Sequence, residues 1–323
     1  LPRGEFGREF RAALALAFDF GPRLTQAQVR RASDLHTTKW LFRLPGGDAV
    51  EFVRIKHWDD HTLCVSSQAG CAMGCTFCAT GSLGLRRNLS PGEITEAVVH
   101  AQRDAGARIT DIVFMGMGEP LHNYDAVMTA CENLNDPAGH GVSRRRITIS
   151  TVGLPHAIRR MAAERQPWRL HVSLHSAIQE TRERIIPAAK VHRLPDLLDA
   201  VREHQRAMAV KWVTFQYVAL PGTNMDQDHV DALGRELTGL RYILNVIPWN
   251  ETGLPADGAG GFRAPTWAEV REFTGRLRAL NCPVKVRYSA GKREGMGCGQ
   301  LAADTLSVVP DGHMVAPPGI FTA

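Results

Sequence analysis

Cys71-Ala72-Met73-Gly74-Cys75-Thr76-Phe77-Cys78 sets three thiols in the spacing C-x3-C-x2-C, with an aromatic ring just before the last. Each iron of a [4Fe-4S] cluster takes one outside ligand, and thiolates supply it. Three thiolates satisfy three irons and leave the fourth open to a small chelating molecule. A zinc site is the alternative, with His61 as a fourth ligand. Zinc sites usually pair two C-x2-C knuckles, and the chain has no second pair, so the spacing favours the cluster.

Outward from this run, apolar strands alternate with amphipathic helices. Strands are expected at 62–66, 110–115, 146–150, 169–174, 211–219, 241–247 and 284–288, and helices at 91–105, 124–134, 154–164, 194–208, 227–238 and 266–280. Ser90-Pro91 with Glu93, and Ala264-Pro265-Thr266, are helix start signals. Such alternation builds a parallel sheet whose ligand site lies at the C-terminal strand ends. The motifs obey that rule. The cysteine run follows the first strand and Gly116-Met117-Gly118-Glu119-Pro120 the second, while Ser150, Ser173-Leu174-His175 and Pro248-Trp249-Asn250 end the third, fourth and sixth. The fold class is therefore α/β, an open or partial (β/α) barrel with its active site at one rim.

Upstream, the first 36 or so residues read as a charged helical lead-in, with helix-compatible spacing over 6–18. A hairpin follows, 40–44 and 49–55 around the turn Pro45-Gly46-Gly47-Asp48. The expected organisation is an extension over 1–60, the barrel over 61–301 and a tail over 302–323. The chain has 323 residues, 44% hydrophobic, enough for one large domain or two medium ones. No apolar run is long enough to span a membrane, and the first residues lack the apolar h-region of a signal peptide. The start at Leu1, without an initiating methionine, reads as a shortened N-terminus. Seven cysteines, three of them clustered, fit a reduced, cytoplasmic protein. The net charge of +5 permits a polyanionic partner without demanding one.

Gly116 and Gly118 remove side chains beside Glu119, so backbone and carboxylate can approach a ligand, and the carboxylate suits an ammonium group. His175 fits a core histidine or a site residue, and its place after a strand favours the site. Asn250, beside Trp249, fits a ligand contact or a loop cap. Cys131 and Cys282 read as small buried hydrophobes. Cys64 fits either role. Cys298, within Gly295-Met296-Gly297-Cys298-Gly299-Gln300, reads as an exposed thiol on a flexible stretch. Basic sets at Arg86-Arg87, Arg144-Arg145-Arg146, Arg159-Arg160 and Lys292-Arg293 are mostly solvated surface. The first two flank strand ends, where they could hold phosphates near the site.

Taken together, Cys64-Val65-Ser66-Ser67-Gln68-Ala69-Gly70-Cys71 with the cysteine run, Met115-Gly116-Met117-Gly118-Glu119-Pro120-Leu121, Ile149-Ser150-Thr151, Ser173-Leu174-His175, Ile247-Pro248-Trp249-Asn250 and Cys298-Gly299-Gln300-Leu301 resemble the RlmN/Cfr group. These are radical S-adenosylmethionine (SAM) methyltransferases acting on adenine in RNA, and the resemblance runs in order from about residue 44 to 301. It implies a partial (β/α) radical SAM barrel, a [4Fe-4S] cluster held by Cys71, Cys75 and Cys78, and SAM contacts at Gly118, Glu119, Ser150, Ser173, His175 and Asn250. It also implies a methyl-carrying Cys298, a resolving Cys64 and a proton acceptor at Glu51. The implied substrate is ribosomal RNA, with tRNA a further candidate. An electron donor such as flavodoxin or ferredoxin is the implied partner, and a monomer the implied state.

The implied route begins when one SAM methylates Cys298. A second SAM, cleaved reductively on the cluster, yields a 5′-deoxyadenosyl radical that takes hydrogen from the S-methyl group. The carbon radical adds to the adenine ring, a base accepts the ring proton, and Cys64 attacks the Cys298 sulfur to free methylated RNA. Carbon 2 is the leading target. Carbon 8, the Cfr-type reaction giving antibiotic resistance, is the alternative, followed by a radical SAM enzyme with another substrate or a non-catalytic RNA-binding protein. The stretch Gly291-Lys292-Arg293-Glu294-Gly295-Met296-Gly297 is more basic and glycine-rich than the family's run, and the helical N-terminal region is shorter.

Overall fold

A computed structural model describes residues 7–17, 21–34, 36–209, 212–252, 261–302, 307–308 and 314–315. After helix α1 (Arg8–Ala17) come strands β1 (Thr25–Arg31), β2 (Thr37–Arg43), β3 (Ala49–His57) and β4 (Asp60–Cys64). The cysteine segment lies between β5 (Gln68–Gly70) and β6 (Leu85–Asn88), with the single turn α2 (Ala79–Ser82) inside it. Then α3 (Pro91–Ala105), β7 (Asp111–Phe114), α4 (Tyr124–Asn135), β8 (Ile147–Thr151), α5 (Pro155–Ala163) and β9 (Arg169–Ser173) alternate. They are followed by α6 (Gln179–Ile185), α7 (Leu194–Met208), β10 (Val213–Ala219), α8 (Gln227–Glu236), β11 (Tyr242–Pro248), α9 (Trp267–Ala279) and β12 (Val284–Val286).

Ten strands form one sheet in the order β1-β2-β3-β4-β7-β8-β9-β10-β11-β12. From β4 to β12 every pairing is parallel, and β1, β2 and β3 add antiparallel on the β4 side. The sheet ends at β1 and β12 rather than closing, so the expected partial barrel is the observed architecture. Its helices are set by ordinary local chemistry. Ser90 and Glu93 form a complete capping box on α3, as do Thr266 and Glu269 on α9. Both were legible start signals.

Three expectations change. Residues 25–31, read as part of a helical lead-in, form the edge strand β1, held by β2. The hairpin is present, but Val53 pairs with Cys64 across β3 and β4, so one sheet runs from the extension into the barrel. Arg144–Arg146 form a turn that precedes β8, and Arg146 pairs at 2.7 Å with both Asp60 and Asp111, which open β4 and β7. These arginines therefore lie at the N-terminal strand ends, opposite the expected site. Of the tail expected over 302–323, only Ala302 and the pairing of Ser307–Val308 with Met314–Val315 fall among the described residues.

Phe52 on β3 is fully buried and meets Phe42 edge-on at 5.8 Å. Phe52→Ala is expected to cost about 3–5 kcal/mol. Because β3 and β4 share a ladder, urea should then unfold extension and barrel in one transition at a lower midpoint. Two separated transitions would contradict the shared sheet.

Candidate active site

Each parallel strand buries one face, and residues at and after the strands' C-terminal ends line one cleft. Its walls include Cys78 from the cysteine run, Gly118 and Glu119 after β7, Ser150 of β8, Ser173 of β9, His175, Asn250 and Cys298. All six residues expected to contact SAM are thus brought together, with one cluster cysteine and the expected methyl carrier. Phe77, Met115 and Trp249, each beside a motif residue, also line it, and Gln216 of β10 lines it without belonging to any motif. The signal for Gln216 was a lone amide inside Val-Thr-Phe-Gln-Tyr-Val-Ala; it accepts from Asn245 at 2.7 Å and meets His171 at 2.8 Å.

Glu119 is 2% exposed, and its carboxylate accepts from the Leu121 and Val152 amides at 2.9 and 2.8 Å. Burial pushes it up to about 7 against those bonds. The glycines beside it line the cleft and also let the backbone pack closely. A Cβ on Gly116 would stand 2.7 Å from Ser66 Oγ, and one on Gly118, at φ +96°, 2.5 Å from Gln68 Cβ. Their absent side chains let the turn close on the strand that launches the cysteine run, where Gln68 Oε1 accepts from the Glu119 amide at 2.8 Å.

His175 has φ +57°, a region L residues seldom occupy. Its Nδ1 accepts from the Val218 amide at 2.9 Å, and Asn224 donates to its carbonyl at 2.8 Å, fixing both ring and backbone. Burial, then the Arg182 charge, lowers it to about 3, so the ring is neutral with its proton on Nε2.

Do the residues fit an iron–sulfur cluster? Burial raises Cys71 to about 12 and Cys75 well above its ordinary value, and each is raised further by another cysteine of the run. Cys78 is raised as well, by burial first. Three crowded, desolvated sulfurs become thiolates only against metal charge. Arg182, 1% exposed, donates to the carbonyls of Leu174 and Val152, while its Nη1 is buried with no partner. Its charge acts on Cys75, so an anionic thiolate cluster supplies the missing counterpart. Among the described residues no three His, Cys, Asp or Glu side chains converge on one ion. His61 sits near the start of β4, at the strand end away from the run. The zinc alternative has no fourth ligand there, and a cubane cluster fits the residues.

Cys64 ends β4 and Cys298 follows β12. Burial first, and the nearby Cys298 second, push the Cys64 thiol up to about 12, opposed by Arg287 and the Met115 amide. The Cys298 thiol thus acts electrostatically on Cys64, although 234 positions separate them in the chain. The stretch before Cys298 is not the flexible segment expected. Gly291 and Gly295 take φ +63° and +68° at the ends of a tight turn, and a Cβ on Gly297 would reach 3.0 Å from Asn250 Nδ2. Asn250 donates to the Cys298 carbonyl at 3.0 Å and to Ser289 at 2.8 Å, so its amide holds this loop. Glu51, like Cys64, Cys71 and Cys75, is not among the residues that line the cleft. It is 1% exposed, with its oxygens on Lys39 Nζ and the Ala302 amide, each at 2.8 Å.

The basic sets also resolve. Arg87 is bidentate to Glu93, and Arg159 and Arg160 pair with acids on the outer helices. Lys292 and Arg293 are exposed on the Cys298 loop.

Comparison with known proteins agrees with this site. The family model described as the Radical SAM superfamily matches residues 65–233. A probable RNA methyltransferase of Myxococcus xanthus is 40% identical over 283 residues, 87% of this chain and 77% of its own. A dual-specificity RNA methyltransferase RlmN of Syntrophobacter fumaroxidans is 43% identical over 277 residues, 85% of this chain and 79% of its own. The crystal structure of a radical SAM methyltransferase from Sphaerobacter thermophilus superposes with a TM-score of 0.86 at 38% identity, covering 93% of this chain and 86% of the other.

In the cluster-loaded, reduced protein at about pH 8, a thiol of pKa about 12 is almost wholly protonated. Cys298 should therefore take up N-ethylmaleimide while Cys64 resists, read by peptide mass spectrometry. Equal labelling of the two would refute the desolvation of Cys64.

Proposed function

The chain belongs to the radical SAM superfamily and, within it, to the RlmN group of RNA methyltransferases, and from that premise we propose that it methylates carbon 2 of adenine in ribosomal RNA through Cys298. The observation that carries this reading is two thiols beyond the cluster run: Cys298 lines the SAM-type cleft, and its charge acts on the buried Cys64. An ordinary SAM methyltransferase has no use for two further thiols. The dual specificity named for the Syntrophobacter relative supports tRNA as a second substrate.

Cys71, Cys75 and Cys78 would hold the cluster, and Gly118, Glu119, Ser150, Ser173, His175 and Asn250 would bind SAM. When bound, cluster and SAM supply a carbon-centred radical able to take hydrogen from a methyl group, given one electron from a donor such as flavodoxin or ferredoxin. The aromatic and apolar lining from Phe77, Phe114 and Trp249 keeps water from that chemistry. Cys298 presents its S-methyl group to the cleft and becomes the tether between protein and adenine. Glu51 accepts the ring proton as the adduct radical gives up one electron to the oxidised donor. Cys64, as its thiolate, then attacks the Cys298 sulfur: the S–S bond forms, the S–C bond breaks, and its electron pair leaves on the methylene carbon, which takes up a proton to become the methyl group.

Nucleoside mass spectrometry of RNA from a host that lacks its own enzyme and expresses this chain tests the reading. 2-Methyladenosine is expected, and 8-methyladenosine would overturn the choice of carbon. Cys298→Ala should abolish the product, and Cys64→Ala should accumulate a covalent protein–RNA adduct. Methylation by Cys298→Ala would sink the mechanism.

Glu119 adds a pH test. Its carboxyl, raised to about 7 by burial, must ionise to pair with the ammonium of SAM. Affinity for SAM should therefore rise between about pH 6 and pH 8. In Glu119→Gln it should be weak and flat. Equilibrium dialysis with the cluster-loaded protein reads both, and a pH-independent wild type would remove Glu119 from that role.

A further inference from the structure

Beyond β12 the chain runs back across the barrel mouth, and the extension catches it repeatedly. Ser33 Oγ donates to Glu294 at 2.7 Å, and Gly291 lies so close to Thr37 that a Cβ would stand 2.9 Å from its Cγ2. Lys39 on β2 then reaches the Gly295 carbonyl at 3.0 Å while pairing with Glu51 at 2.8 Å, and Glu51 takes the Ala302 amide at 2.8 Å. Both charges are buried, with side chains 9% and 1% exposed. The loop is thus gripped on either side of Cys298, three residues before it and four after, by one ion pair. On the barrel side it is held by Asn250, by Ala79, whose amide donates to Gly299 at 2.8 Å, and by Thr80, which donates to Leu301 at 2.7 Å.

A buried ion pair is a poor source of net stability, because desolvation offsets most of the attraction. It is, however, a directional anchor. We propose that Lys39 is a positioning residue, and that Lys39 and Glu51 form a buried clasp that fixes loop 291–302 so that Cys298 faces the cleft beside Cys64. Substituting the strap at one point should loosen the loop without disturbing the barrel, since the barrel's own contacts to the loop come from other residues. The clasp also orders events. With both carboxylate oxygens engaged, Glu51 is closed to substrate while the loop is docked, and undocking uncovers it. This consequence rests on the roles proposed above for Cys298 and Glu51; the clasp itself does not.

The test uses full-length, cluster-loaded, reduced protein, in which the cluster protects its own cysteines. Wild type, Lys39→Arg, Glu51→Gln and the charge-free pair Lys39→Met/Glu51→Leu are treated with N-ethylmaleimide, and Cys298 labelling is timed by mass spectrometry alongside amide hydrogen exchange. Losing a hydrogen-bonded ionic anchor should speed Cys298 labelling and exchange over 291–302 about tenfold in the double variant, with exchange in β8–β10 unchanged. Lys39→Arg, which keeps the cation, should return toward wild type, and Glu51→Gln, which keeps an acceptor, should fall between. Labelling and exchange within about twofold of wild type in the double variant, or in Glu51→Gln if the double variant does not fold, would overturn the clasp. Incubation with SAM separates the two claims. An unmethylated Cys298 with the loop response intact would defeat the methyl-carrier reading and leave the clasp standing.

Discussion

Seven parallel strands that stop short of a closed barrel leave a trough, and the molecule depends on how that trough is roofed. An open rim would keep water over any charged group bound there, and water screens charge. The roof is one loop, 291–302, leaving the last strand of the sheet and docking on strands β2 and β3 beside the first parallel strand. The added antiparallel strands are therefore part of the site's construction, since they give the loop its landing place. The same loop carries Cys298, so closing the cleft and presenting the thiol are one structural act.

Much of this was legible because each parallel strand carries one apolar, buried face and is bounded by polar residues. Ile112, Ile149, Val172 and Phe215 share that face and are all essentially buried, and the polar residues after each strand had only one end of the sheet to occupy. β1 escaped notice because Thr25–Arg31 is a polar edge strand, defined by its partner β2 more than by its own sequence. Arg144–Arg146 were misplaced for a different reason. Nearness to a strand does not say which end, and these residues precede theirs. Glu51 could be named from the resemblance, but not its surroundings, because one partner lies 251 positions away. Glycines do two things that sequence alone does not separate. Beside Glu119, Gly116 and Gly118 line the cleft and also permit close packing, and around Cys298 the glycines form tight turns.

Burial is the leading cause of nearly every electrostatic shift in the cleft. The three cluster thiols and Glu119 are pushed up, and His171 and His175 are lowered to about 3, each toward its neutral form. Arg182 is lowered to about 10, which still leaves it charged near neutral pH. A cleft tuned this way holds little charge of its own and strengthens whatever charge enters it. Its partnerless Nη1 then has a purpose, because the cation already stands beside Cys75, where an anionic cluster would form.

The same physics governs the second pair of thiols. Desolvation holds the Cys64 proton, with its thiol pushed up to about 12. Arg287, whose Nη1 lies 3.4 Å from Met115 Sδ, and the Met115 amide act in the opposite direction, so a thiolate is disfavoured at Cys64 without being unsupported. In the proposed route Cys64 therefore has to lose that proton before it can attack the Cys298 sulfur, and that sulfur is carried by the loop that Lys39 and Glu51 hold.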